Sequence, residues 1–295
     1  MANTSAFSLN DRAEYAARAL PPLLVDAERI AATVILGEHG RKRAGPGESF
    51  WQYRPYSPGD STARVDWHKS ARSDRVFIRE NEWEAANTLW LWASPGPGMD
   101  FRSHLASLTK RERANLITLA LGSLAIRADE RVGLLGSEQA PGHSRAILIR
   151  LAERLMAPEG TSLPPRARVT RLSSAVLAGD FFEPIEEITA ALTPIAEAGV
   201  SGHLLQVVDP AEETLPYQGR VEFQDVAGPL KFLASRSESL RAPYQEQLAL
   251  HREALRDLCR KLGWSFTIHR TSDAVAPLLM QLHGLVGGAL RVRAK

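Results

Sequence analysis

The sequence predicts an α/β fold: a mainly parallel sheet, Rossmann-like, flanked by helices on both faces. Three observations carry this expectation. From residue 88 onward, short apolar runs alternate with longer segments of helical periodicity. The runs are nearly continuous in apolar character, as strands covered on both faces require. Helix starts and stops are also punctuated by capping residues, prolines and glycines.

Taken in order, residues 1–36 read as a helical segment, with Leu20, Leu23, Leu24, Ala27, Ile30, Ala31 and Val34 at helical spacing. Residues 37–87 change character. Glycines and prolines mark turns, and Phe50–Arg54 and Arg75–Arg79 read as short strands of a small β-rich module. The α/β domain is expected over 88–290. Leu89–Ala93 is its first strand, and a helix follows from Lys110 to Ala128. Thr109 and Glu112 are spaced as a capping box, and Leu116, Leu119, Ala120 and Leu124 form the apolar face. Arg131–Leu135 is the next strand. Ser144–Met156 is the next helix, with Ile147, Leu148, Leu151 and Leu155 facing inward. A strand within 169–178 precedes a helix that begins at Pro184. His203–Val208 is a strand, and 214–224 reads as an edge hairpin turning at Gly219. A helix from Ala242 to Leu262 stops at Gly263, a left-handed cap, and Trp264–Arg270 is the last strand before a terminal helix.

Composition narrows the function classes. The chain has 295 residues, 44% of them hydrophobic and 24% charged, with a formal net charge of only +2. Interspersed charges of both signs give no footprint for a nucleic-acid binder. No run approaches the ~18 apolar residues of a membrane span, and residues 1–20 lack the pattern of a secretory signal. We therefore expect a cytoplasmic protein; peripheral membrane association stays open. The single cysteine, Cys259, rules out an internal disulfide and reads as a packed core residue.

Two segments carry a family resemblance. The first is Tyr53-Arg54-Pro55-Tyr56-Ser57-Pro58-Gly59-Asp60, followed by Arg64-Val65-Asp66-Trp67, Ser70-Ala71-Arg72, Glu80 and Glu82. The second is Val208-Asp209-Pro210-Ala211-Glu212-Glu213, followed by Leu215-Pro216-Tyr217-Gln218-Gly219, Phe223-Gln224-Asp225 and Tyr244. Together they resemble the bacterial domain of unknown function 58 family, von Willebrand factor A-like proteins often encoded beside MoxR-type AAA+ ATPases. The resemblance spans roughly residues 35–283. It implies an A-type domain with a small N-terminal β-rich module. It also implies a chaperone-like or assembly role with a MoxR-type ATPase and an unknown protein client.

An A-type metal site is implied to use Asp-x-Ser-x-Ser after the first strand, a Thr from a second loop and an Asp from a third. This chain has Ser94-Pro95-Gly96-Pro97-Gly98-Met99 in the first loop, so Ser94 stands for the Asp and Gly96 and Gly98 for the serines. Thr161 and Asp180 match the other two positions. Asp180 reads equally well as a helix N-terminal acid and Thr161 as a loop hydroxyl. The expectation is a degenerate site and no cofactor, with Mg²⁺ at this rim as the alternative. Ser94→Asp with Gly96→Ser and Gly98→Ser is expected to create Mg²⁺ affinity if the loop keeps its fold.

Arg54, Tyr56, Asp60, Arg64, Asp66, Trp67 and Arg72 form a charged and aromatic cluster in the small module. It reads as an ion-pair network that fixes an irregular loop, or as a partner-docking surface. No catalytic residue is expected. A serine hydrolase is the remaining alternative, with Ser144 in Gly142-His143-Ser144-Arg145-Ala146, then Asp209, then His269 or His283. The loop from Gly136 to Gly142 separates that serine from its strand, against the strand–Ser–helix geometry an elbow needs.

Overall fold

The computed structural model describes residues 22–38, 50–57, 65–73, 75–81, 88–157, 160–224 and 231–293. The chain divides into two compact units, one of residues 38–86 and one of residues 1–37 with 87–295.

The elements in chain order are α1 (Pro22–Glu38), β1 (Phe50–Pro55), α2 (Trp67–Ser70), β2 (Phe77–Asn81), β3 (Thr88–Ala93), α3 (Lys110–Arg127) and β4 (Arg131–Leu134). They continue with α4 (Arg145–Met156), β5 (Ser174–Gly179), α5 (Ile185–Glu197), β6 (Ser201–Val208), α6 (Pro210–Thr214) and β7 (Val221–Gln224). The last are β8 (Lys231–Ala234), α7 (Glu238–Leu262), β9 (Ser265–Arg270) and α8 (Val275–Arg293). In the small unit β1 and β2 pair antiparallel, with Tyr53 opposite Arg79 and a bulge between Phe50 and Gln52.

The large unit is the α/β layer structure the sequence predicts. Its five-stranded sheet runs β4-β3-β5-β6-β9, and every pair is parallel. Numbered from β3, this is the doubly wound order 2-1-3-4-5. Alternate residues of each strand face opposite sides. Leu89, Leu91 and Ala93 enter one core with α1, α3, α4 and α8, while Trp90 and Trp92 enter the other with α5 and α7. Leu24, Ala27, Ala31 and Val34 of α1 are buried in the first core, so this helix is part of the large unit. Burial of each Leu or Val of this kind contributes roughly 2 kcal/mol.

Thr109 and Glu112 form the expected capping box: Thr109 N–H donates to Glu112 Oε2 at 2.8 Å and Glu112 N–H to Thr109 Oγ1 at 3.1 Å. Beyond its first turn, α3 departs from the one-faced helix expected. Every residue from Ala114 to Ala125 is buried, because the sheet covers one side and α1, α4 and α8 share the surrounding core. A helix enclosed all round has no polar face to present.

The segment 214–224 is not a hairpin. Val221–Gln224 pairs antiparallel with Lys231–Ala234, and residues 210–214 are helical. The Asp209 carboxylate accepts from Ala211 N–H at 2.8 Å, which starts that helix, and Leu215 closes it in a left-handed conformation at φ 43°. Gly219 takes φ +71° for a different turn, in which its N–H donates to Glu238 Oε1 and its carbonyl accepts from Ser237. The helix expected from Ala242 begins four residues earlier, at Glu238, and incorporates Pro243.

Candidate functional site

In a 2-1-3-4-5 sheet the connections from the first and third strands leave toward opposite faces, opening a crevice beyond their carboxyl ends. Here that crevice lies between the ends of β3 and β5. Ser94 directly follows β3 and Asp180 directly follows β5, so both stand at the switch point. Asp209 follows β6 on the same rim.

Asp180 is buried, and its Oδ2 accepts from the Lys110 ammonium at 2.9 Å. The same ammonium donates to Glu212 Oε1 at 2.6 Å. Lys110 is the first residue of α3 and its side chain is 1% exposed. A cation at a helix N-terminus opposes the helix dipole, so two carboxylates at its tip offset a local penalty. Glu212 is anchored in turn, its Oε2 accepting from Asp209 N–H at 2.9 Å. Burial pushes the Glu212 carboxyl above its ordinary range, and the neighbouring Lys110 charge opposes that rise. The rings of Phe182 and Phe101 lie 5.1 and 6.0 Å from the ammonium.

Further bonds lock the surroundings. Asp209 Oδ2 accepts from Ser103 N–H at 2.9 Å, tying the loop after β3 to the end of β6. The Asp180 carbonyl accepts from Gln206 Nε2 at 2.9 Å, and Gln206 Oε1 accepts from Arg252 Nε at 3.0 Å. Arg252 also pairs with Glu213 at 2.6 Å, and Glu213 pairs with Arg270. On the first loop, Arg111 forks onto Asp100 at 2.5 and 2.9 Å and donates to the carbonyls of Pro95 and Gly96, each at 3.1 Å. That contact holds the Asp100 carboxyl below the usual carboxylate range.

The residues expected to hold a metal are placed as follows. Ser94 is buried, donates its hydroxyl to the Ser162 carbonyl at 2.8 Å and accepts from Gly96 N–H at 3.2 Å. Thr161 is exposed and donates to the Leu163 carbonyl at 2.8 Å. Asp180 faces Lys110. Mg²⁺ takes about six oxygens near 2.1 Å in an octahedron. The position between Asp180 and Glu212 instead holds a nitrogen that is already a cation, and the Ser94 hydroxyl is committed to a carbonyl. Among the described residues, no group of three His, Cys, Asp or Glu side chains could hold a metal ion. These residues do not fit a divalent ion.

Of the hydrolase residues, Ser144 and His269 are kept apart, and His283 lies in α8. Ser144 sits at the start of α4, just after Gly142 bridges to Val132 of β4, at one edge of the sheet. His269 lies on β9 at the other edge. Four strand spacings of about 4.8 Å put roughly 19 Å between those edges. Both Asp209 oxygens are already engaged by backbone N–H groups. The hollow beside the rim, lined by Ser94, Arg111, Asn115, Arg154 and Thr161, measures about 260 Å³. Small-molecule pockets commonly span roughly 300–1,000 Å³.

In the small unit, Asp66 caps α2 by accepting from Lys69 N–H at 2.9 Å. Trp67 is 67% exposed and Tyr56 38% exposed, and Arg72 is also exposed. Arg54 stands in β1 opposite Ile78. Asp60 and Arg64 lie outside the described residues.

Sequence reasoning named Asp180 but missed its partners Lys110 and Glu212. The available signal was a lysine in the first turn of a helix, where the dipole disfavours it.

A family model described as "Protein of unknown function DUF58" matches residues 52–254. Uncharacterized proteins of Mycobacterium tuberculosis (Rv1480) and Mycobacterium bovis (Mb1516) are each 25% identical over 292 residues, covering 93% of this chain and 91% of the relative. Among solved structures, an aerotolerance-related membrane protein from Bacteroides fragilis is 13% identical with a TM-score of 0.42. The conserved hypothetical protein BatB from Bacteroides thetaiotaomicron is 14% identical with a TM-score of 0.40. In both cases 68% of this chain and 99% of that chain are covered, and both likenesses are too distant to bear on function. No helix among the described residues is long and apolar enough to cross a membrane.

Proposed function

The chain belongs to the DUF58 family of proteins of unknown function, and on that premise we propose that it is a non-enzymatic interaction or assembly factor. Its sheet rim is a degenerate metal-ion adhesion site that works without a metal, and its partner is a MoxR-type AAA+ ATPase acting on a protein client. The observation that carries the metal-free part is the placement of the Lys110 ammonium 2.9 Å from Asp180 and 2.6 Å from Glu212. The ATPase partnership rests on the resemblance of the Tyr53–Asp60 and Val208–Glu213 segments to that family. The exposed Trp67 and Tyr56 supply the aromatic anchors that protein interfaces favour, on a small unit distinct from the rim. The cytoplasm, where an ATP-driven partner would act, is the compartment this reading expects.

The test is affinity capture of the tagged full-length protein from its own cell extract with ATP, with and without EDTA, read by mass spectrometry. Recovery of a MoxR-type ATPase in both conditions is expected. Recovery that is lost with EDTA and restored by Mg²⁺ without nucleotide would mean that the rim does use a metal. The absence of any AAA+ ATPase under all conditions would overturn the partnership.

A further inference from the structure

We propose that Lys110 is the resident cation of this rim, doing the structural work of a divalent ion from within the chain and sealing the position against partner carboxylates. The inference rests on the metal-free reading above but on no particular partner.

Its geometry is that of a bridging ammonium. One nitrogen is shared by two carboxylate oxygens from different loops, Asp180 after β5 and Glu212 in α6, at 2.9 and 2.6 Å. Both carboxylates are largely buried, with side-chain exposures of 10% and 17%. Two carboxylates held in a buried place are stabilised in their charged form by a cation between them; without one, burial and mutual repulsion favour protonating one of them. Lys110 supplies it from α3 and so joins three chain segments at the switch point.

The loop after β3 is shaped around this arrangement. A Cβ on Gly98 would stand 2.7 Å from Asp180 Oδ2, closer than real Cβ contacts come. A Cβ on Gly96 would stand 2.6 Å from Ser162 Cβ. The glycines that replace potential ligand serines thus allow the backbone to close directly over the ion pair. With its side chain 1% exposed and the Phe182 and Phe101 rings beside it, the ammonium is out of reach of an incoming carboxylate. Any contact made at this rim therefore reads its surface and not the buried charge.

Removing the lysine side chain leaves two carboxylates facing one small space, an oxygen set suited to a hard cation. The experiment uses the full chain with Lys110→Ala and Lys110→Met. It follows Mn²⁺ binding by loss of the free-ion paramagnetic signal, and thermal unfolding with Mn²⁺ or EDTA. For the wild-type protein we expect no saturable Mn²⁺ binding in the millimolar range and a melting temperature indifferent to EDTA. Lys110→Ala should lose on the order of 10 °C, bind one Mn²⁺ per chain and regain part of the loss. Adding Asp180→Asn should abolish that binding.

Wild-type Mn²⁺ binding that Asp180→Asn removes would overturn the proposal. So would a folded Lys110→Ala protein with no metal response. If Lys110→Ala does not fold, Lys110→Met is compared with the triple variant that adds Asp180→Asn and Glu212→Gln. Uncompensated carboxylates should make the single variant the less stable of the two, and a triple variant no more stable than Lys110→Met would overturn the proposal.

Discussion

The place a Cβ of Gly98 would occupy lies 2.7 Å from the Asp180 carboxylate, so the loop after β3 and the acid after β5 touch through a glycine that cannot be enlarged without movement. This bears on rebuilding a metal site here. Ser94→Asp with Gly96→Ser and Gly98→Ser was expected from sequence to create Mg²⁺ affinity. The geometry argues against that expectation: a Cβ on Gly96 or Gly98 comes within 3.0 Å of Ser162 or Asp180 unless something shifts, and Lys110 occupies the space beside Asp180. The triple variant should gain no Mg²⁺ binding by calorimetry while Lys110 is present. Gly98→Ala alone should destabilise by about 1–3 kcal/mol, as overpacking does, read from urea unfolding.

Stability should fall in acid for a reason unrelated to the rim. His203 and His269 are 3% and 4% exposed, and burial lowers both to about 4. At His269, Arg113 lowers the value further while Asp273 works against it. Each ring is neutral when folded and protonates more readily when unfolded. Its contribution is therefore fully present above about pH 6.5 and is lost as the pH falls toward 4, up to roughly 3 kcal/mol for each histidine. Urea midpoints measured from pH 7 down to 4.5 should decline, and His203→Gln should shallow that decline.

Glu130 pulls the other way. Burial raises its carboxyl to about 7, so the folded state favours the protonated form. The associated stability is present below about pH 4.5 and is lost as the pH rises through 7. Glu130→Gln should remove this contribution to the slope between about pH 4.5 and 7; a variant curve parallel to wild type over that range would contradict this.

Cys259 lies 1% exposed against Leu255, Leu258 and Trp264, and burial pushes its thiol up to about 12. It should react with an aromatic disulfide reagent only as fast as the chain opens. The labelling rate should therefore rise with urea in step with unfolding, and rapid labelling in native buffer would show that α7 is not packed as described.

Much of the fold was legible because local chemistry and tertiary role agree. Leu89–Ala93 and His203–Val208 are apolar runs in the sequence and buried parallel strands in the structure. Thr109 and Glu112 cap α3 as their spacing suggests. Where the reading failed, distant residues decide. Val221–Gln224 pairs with Lys231–Ala234, whereas the capping bonds of Asp209 and Glu212 make 210–214 a helix. The rim was half legible. Asp180 was found by its place after a strand, but its bond to Lys110 spans 70 residues and the bond from Lys110 to Glu212 spans 102. Such pairs follow from strand order, which no local pattern encodes. Only the awkward charge at the head of α3 hinted at them.

The most direct test of a built-in cation is to observe the Lys110 ammonium itself, by ¹H–¹⁵N spectroscopy of the lysine-labelled full chain near neutral pH. A buried ammonium bonded to two carboxylates exchanges its protons slowly with water, whereas exposed lysines do not give sharp signals. One protected signal is predicted, missing in Lys110→Met and unchanged by Mg²⁺ or EDTA. Absence of any protected signal, or its displacement by saturating Mg²⁺, would contradict the account.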